Sequence, residues 1–306
     1  MQTKLKLRII ALSLLVLPAL TLAADGTFEE RLSVPAGTML EVGTGSGSID
    51  ITSGPGRDVV VVGKVRVNRE SFWNRGDADE ILQQVLDNPP VELSGERLIV
   101  GHFKDRSIGR RVSVSYEIVV PADTSVDAKA GSGSVSVRDI AAPVVVGSGS
   151  GRLKVENIGG PVKAKAGSGS IRAEGVAGEF KGSTGSGGIF MSQTSPGDVK
   201  ASSGSGSIEL VGVVGALKAN AGSGRIEVDG RQEGDWTIGS GSGSITVRLP
   251  DDAAFNLDAE SNSGGITLEH PLMVQGKISK RHIRGEVRGG GPLLRVDTGS
   301  GGITIE

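Results

Sequence analysis

The tetrapeptide Gly-Ser-Gly-Ser, or a close copy, recurs along this chain at a nearly fixed interval, and few folds tolerate that. The first glycine of each copy falls at Gly45, Gly131, Gly149, Gly167, Gly185, Gly204, Gly222, Gly241 and Gly299. Asn262 opens a variant copy, Asn-Ser-Gly-Gly-Ile. From Gly131 to Asn262 the steps are 18, 18, 18, 19, 18, 19 and 21 residues. The final step, 37 residues, reads as two periods with one degenerate copy between them. Self-similarity at a fixed period is the mark of stacked units that share one continuous core.

Each unit divides again. Val162-Lys-Ala-Lys-Ala166 alternates apolar and polar residues, the tetrapeptide follows, and Ile171-Arg-Ala-Glu174 alternates once more. Alternation with period two places Val162, Ala164, Ala166, Ile171 and Ala173 on one side of an extended backbone. Lys163, Lys165, Arg172 and Glu174 then point the other way. Later copies keep the rule, with Val199, Ala201, Ile208 and Leu210, then Leu217, Ala219, Ala221, Ile226 and Val228. Helices are a poor alternative, because each glycine inside one costs about 1 kcal/mol.

These patterns predict an all-β fold, a parallel β-solenoid (β-helix) with coils of about 18 residues and two main strands per coil. Right-handed winding is expected. Glycine is expected at the corner because a sharp bend there would need positive φ, with the motif serines satisfying backbone groups. Composition agrees: 37% of residues are hydrophobic but only 3% are aromatic, so aliphatic side chains must fill a narrow interior.

Residues 1–24 read as a signal peptide, with Lys4, Lys6 and Arg8 before the apolar run Ile9 to Leu17 and small residues at Leu22-Ala23-Ala24. Without it, 30 basic residues face 35 acidic ones, which argues against nucleic acid as a partner. The expected location is the periplasm, the cell envelope or the outside of the cell. No cysteine is present, so disulfides and thiolate metal sites are excluded. Residues 25–63 read as the first strands and first repeat, and 121–306 as the remaining repeats. Residues 64–120 interrupt the period and read as a β-rich insert capping the N-terminal end of the stack. Within or beside it, strands are expected at Val59 to Val67, Arg97 to Phe103 and Arg111 to Val120, and a helix at Asp77 to Leu86. Phe72-Trp73-Asn-Arg-Gly reads as a turn and Arg106 to Arg111 as a mobile basic loop. At the far end, either Leu272 to Val287 folds back over the last strand, or Ile303-Thr-Ile-Glu306 is an open edge.

Residues that carry chemistry are sparse. His102, His270 and His282 have no metal-ligand spacing and read as solvated surface side chains. The motif serines lack a recurring base, and Gly43-Thr-Gly45-Ser-Gly47 lacks the Lys-Ser/Thr and helix of a phosphate loop. Calcium β-rolls need an aspartate in each turn, and here it is missing. No catalytic residue, metal or cofactor is expected. One pattern exceeds a plain scaffold: Lys163, Lys181, Lys200 and Lys218 stand four residues before successive corner glycines, with Lys165 beside them. In a parallel stack they form a column suited to an anionic polymer, such as an acidic polysaccharide or envelope component, or they simply keep an exposed sheet soluble.

The chain resembles the bacterial Gly-Ser-Gly β-strand-repeat family of unknown function, of adhesin type. The resemblance rests on the corner motifs, on "SYEIVVPADTSVDAKAGSGSVSV" (Ser115 to Val137), and on "AESNSGGITLEHPL" (Ala259 to Leu272) followed by "GEVRGGGPLLRVDTGSGGITIE" (Gly285 to Glu306). It implies a β-solenoid, an envelope or extracellular location, and no catalytic residues. The expected function is therefore a non-enzymatic, adhesin-like interaction scaffold. The alternatives are a polysaccharide-active β-helix enzyme and a module that self-assembles through its C-terminal edge.

Overall fold

A computed structural model describes residues 25–67, 75–273 and 279–306. The expected signal peptide and residues 72–74 of the expected turn lie outside the described residues. The chain is a β-solenoid. The unit read from the sequence as one coil runs along strand Val162–Ala166, turns through Gly-Ser-Gly-Ser, and returns along Ile171–Ala177. Its first strand pairs in parallel with Val144–Ser148 on one side and Phe180–Thr184 on the other. Its second pairs in parallel with Leu153–Ile158 and Ile189–Ser195. Parallel neighbours lie about 4.8 Å apart, so a one-period shift along the chain becomes a one-strand shift in space.

The alternation in sequence becomes burial in files. Ile49, Val135, Leu153, Ile171, Ile189, Ile208, Ile226, Ile245, Ile303 and Ile266 stand one above another. All but Ile266 are at most 2% exposed. Each contributes about 1.5–3 kcal/mol by leaving water, and no coil could supply such a core alone. Where one layer is enlarged, another shrinks: the Phe180 ring occupies the space a side chain at Gly182 would need. Polar residues also enter the inward files, among them Gln193. Gln193 stands over Val176, and its Nε2 donates to Gly178 O (2.8 Å) and Gly197 O (2.9 Å). Its Oε1 accepts from Val214 N (3.0 Å), so its burial is compensated.

The corner works differently from the expectation. No glycine of the Gly-Ser-Gly corners has a positive φ. Glycine is required there because the coils approach too closely. A Cβ on Gly169 would meet Gly151 O, one on Gly206 would meet Gly187 O, and one on Gly224 would meet Gly206 O, all well inside 3.0 Å. Left-handed backbone occurs at another bend, at Asp139 (φ 60°), Asn157 (54°), Gly175 (69°) and Gly212 (70°). These are the residue types that tolerate it. The motif serines are also not the main satisfiers. That task falls to the hydroxyl residue just before the motif. Ser203 Oγ donates to Gly187 O (2.9 Å) and accepts from Gly206 N (2.9 Å). Ser148, Thr184, Ser240, Ser261 and Thr298 repeat this bridge.

At the N-terminal end, Arg97–Val100 pairs in parallel outside Met39–Thr44, and Val112–Pro121 pairs outside Ile49–Gly54. Asp58–Val67 and Asp25–Ser33 then add antiparallel strands to the second sheet. Helix Arg75–Asp87 packs on these last two through Ile81 and Val85. The expected basic loop is a short helix, Arg106–Arg111, because the Asp105 side chain caps it by accepting from Ser107 N (2.7 Å).

The C-terminal end corrects the open-edge reading. Ile303–Ile305 is paired on both sides, with Ile245–Arg248 and with Ile266–Leu268. Leu293–Thr298 likewise lies between Trp236–Ser240 and Phe255–Ser261. The last coil in sequence is thus inserted beneath the coil that precedes it. Among the described residues, the 37-residue step adds no further coil. Its middle returns as His282–Val287, antiparallel to Phe255–Ser261, and covers the edge of that strand.

Gly206→Ala is expected to lower unfolding free energy by about 1–3 kcal/mol through overpacking, while Ser205→Ala, exposed in the same corner, leaves it unchanged; urea denaturation of both checks this. Ser203→Ala is expected to cost about 1 kcal/mol through the lost bridge, a modest loss because Ala166 and Ala221 hold the same position in other coils.

Candidate functional site

The expected lysines come together. Lys163 pairs in register with Lys181, Lys181 with Lys200, and Lys200 with Lys218. Each lies between two inward residues, as Lys163 does between Val162 and Ala164, so strand alternation turns every one of them outward. The column begins beside Val145 and ends beside Thr237. A second outward column, two residues along, holds Lys165, Ser183, Ser202 and Asn220. The result is a flat sheet face with a cationic stripe and a border of small hydrogen-bonding groups.

All five lysines are exposed, and none has a carboxylate partner among the described residues. The other sheet is arranged differently. There Arg138 meets Asp50 (3.0 Å), Lys154 meets Glu156 (2.8 Å), Arg172 meets Glu174 (2.5 Å), and Arg248 meets Glu306 (2.8 Å). The outward Phe190 ring is covered by the Arg172 guanidinium, 4.4 Å from its centroid. The lysine face therefore carries a concentrated charge that the protein leaves uncompensated. The strands that carry the lysines stand about 4.8 Å apart, less than one screening length of about 8 Å, so the stacked lysines repel, and a polyanion laid along them would relieve that repulsion.

The histidines do not form a site. His102 and His282 are exposed, as expected, but His270 is buried and set edge-on against the Phe255 ring, 5.6 Å between centroids. Sequence reading missed a charged cluster at the C-terminal end. Asp258 accepts from Arg284 (2.8 Å) and lies 3.2 Å from His282 Nε2 and 3.5 Å from Arg295. These residues are distant in sequence; the antiparallel return of His282–Val287 brings His282 and Arg284 to Asp258, and the parallel strand Leu293–Thr298 brings Arg295. Burial pushes the Asp258 carboxyl up, but hydrogen bonds from Arg284 and His282 outweigh this and hold it below the ordinary aspartate value of 3.8.

With the fold on the page, its kinship can be stated. The Toastrack DUF4097 family profile matches residues 93–306, more than half of the chain. The chain belongs to the Toastrack family. No curated protein matches it significantly. Among solved structures, a candidate cell adhesion protein from Clostridium sporogenes shares 15% identity, with 92% of this chain and 99% of that one covered and a TM-score of 0.27. A candidate adhesin from Bacteroides fragilis shares 12% identity, covering 92% and 97%, with a TM-score of 0.28. At such scores the superpositions carry no argument about this Toastrack chain.

A carboxylate whose folded pKa is depressed stabilises above its unfolded pKa and loses that contribution as pH falls through the folded value. Asp258→Asn is therefore expected to reduce stability at neutral pH and to flatten its decline below about pH 4. Thermal melts of both proteins across this range check it.

Proposed function

We propose that this Toastrack protein is a non-enzymatic, exported interaction scaffold that binds an anionic polymer of the cell envelope or cell surface along its lysine face. The observation that carries this reading is the register of Lys163, Lys181, Lys200 and Lys218, four unpaired ammonium groups on adjacent strands. A linear polyanion matches such a column because both repeat along one axis. Lys165 widens the stripe, and Ser183, Ser202 and Asn220 offer hydrogen bonds to hydroxyls beside it. The leader-like residues 1–24 support export. The enzyme alternative has no comparable support, since a glycan-cleaving face would need carboxylates beside these lysines. Assembly through Ile303 loses its basis because that strand is paired on both sides.

The test is retention on immobilised acidic polysaccharide. Wild-type protein is expected to bind and to elute as salt rises. The variant with Lys163, Lys181, Lys200 and Lys218 all changed to Ser is expected to lose at least tenfold in affinity with an unchanged melting curve. Equal retention of the two proteins would overturn the reading.

A further inference from the structure

The opening amide of each corner is paired along the stack, with one exception among the described residues. Gly131 N donates to Thr44 O (2.9 Å), Gly167 N to Ser148 O (2.9 Å), Gly222 N to Ser203 O (3.0 Å), and Gly299 N to Ser240 O (3.0 Å). Each corner thus gives its opening N–H to the coil before it. Gly45 opens the first corner, and no coil precedes it. Its amide has no acceptor among the described residues. The segment between Arg97–Val100 and Val112–Pro121 passes across this end instead, and it leaves a cavity of about 540 Å³ against the corner.

Cationic side chains predominate around that cavity, with His102 and Thr44 beside them. Gly45 brings its free N–H, and Lys104, Arg106 and Arg110 bring cationic donors. None of these three side chains has a carboxylate partner among the described residues; Arg110 Nε only donates to Arg106 O (3.4 Å). No carboxylate lines the cavity. The nearby acids are engaged elsewhere, Glu41 by Arg97 and Asp105 by Ser107 N. Tyr116 also lines the cavity. It is 1% exposed, and its hydroxyl has no hydrogen-bond partner. A buried hydroxyl left unpaired is uncommon and needs an explanation. Burial pushes this phenol far up, so at neutral pH it is an O–H donor. Phe103, Val112 and Val114 supply apolar wall.

We propose that this cavity binds a small organic oxyanion, a carboxylate or a phosphate monoester. Two guanidinium groups suit the paired oxygens of either group. The exposed, unpaired Gly45 amide adds a backbone donor, and the Tyr116 hydroxyl lies behind the wall, closed to water. The volume falls in the range of small-molecule sites, which leaves room for a body beyond the anionic group. The site is separate from the lysine column, which begins at the fourth coil, and does not depend on its function.

Calorimetric titration of the purified full chain tests this with glucuronate, glucose 6-phosphate, inorganic phosphate and, as a control, glucose. At least one of the anions is expected to bind, and glucose is not; the order of glucuronate and glucose 6-phosphate decides between carboxylate and phosphate. Arg106→Ala/Arg110→Ala, at exposed positions, is expected to abolish measurable binding. No binding of any anion below about 10 mM, or binding unchanged in the double arginine variant, would overturn the proposal.

Discussion

The close approach of backbone to backbone at the Gly-Ser-Gly corners sets the spacing of everything else. There the carbonyl of one coil fills the space where a side chain of the next would begin, as Gly151 O does beneath Gly169. Only glycine fits, and once it is present the coils can stack at strand distance through the corner as well as along the sheets. The hydroxyl of Ser203, Thr184 or Ser240 then ties adjacent corners together by donating to one coil and accepting from its own. Fixed corners fix register, and fixed register superposes the aliphatic files.

The same register governs the surface. Whatever stands outward in one coil stands over its counterpart in the next, so outward charge falls into columns. On one sheet the columns are mixed and neutralise themselves through pairs such as Lys154 with Glu156. On the other, four lysines stand in line without partners. A repeat fold amplifies such a choice, because a single substitution pattern is copied along the axis at constant spacing.

Irregularity gathers at the ends, where a stack meets water and its pairing groups run out. The two ends solve this differently. At the N-terminal end, strands from the insert extend both sheets and enclose the cavity beneath Gly45. At the C-terminal end, the coil of Leu293–Thr298 and Ile303–Ile305 is inserted under an earlier coil, and an antiparallel strand covers the edge of Phe255–Ser261. Groups that have no counterpart elsewhere, such as the Asp258 cluster and the unpaired Tyr116 hydroxyl, occur at these ends.

By itself the sequence determined the repeat length, the two strands per coil, the inward files and the lysine column, because each follows from period-two alternation and an interval of about 18 residues. The helix near Asp77 to Leu86 was also legible from its apolar spacing and the Asn88-Pro89-Pro90 stop. It did not determine why glycine recurs: positive φ and close approach leave the same letter in the chain, and only the stacked neighbour distinguishes them. Nor could it show that Ile303 lies inside the stack, since a strand edge looks the same in sequence whichever coil covers it. The tertiary structure alone decided the order of the last two coils, the burial of His270 and the donor-lined cavity. Those depend on contacts between segments far apart in the chain, which local periodicity does not encode.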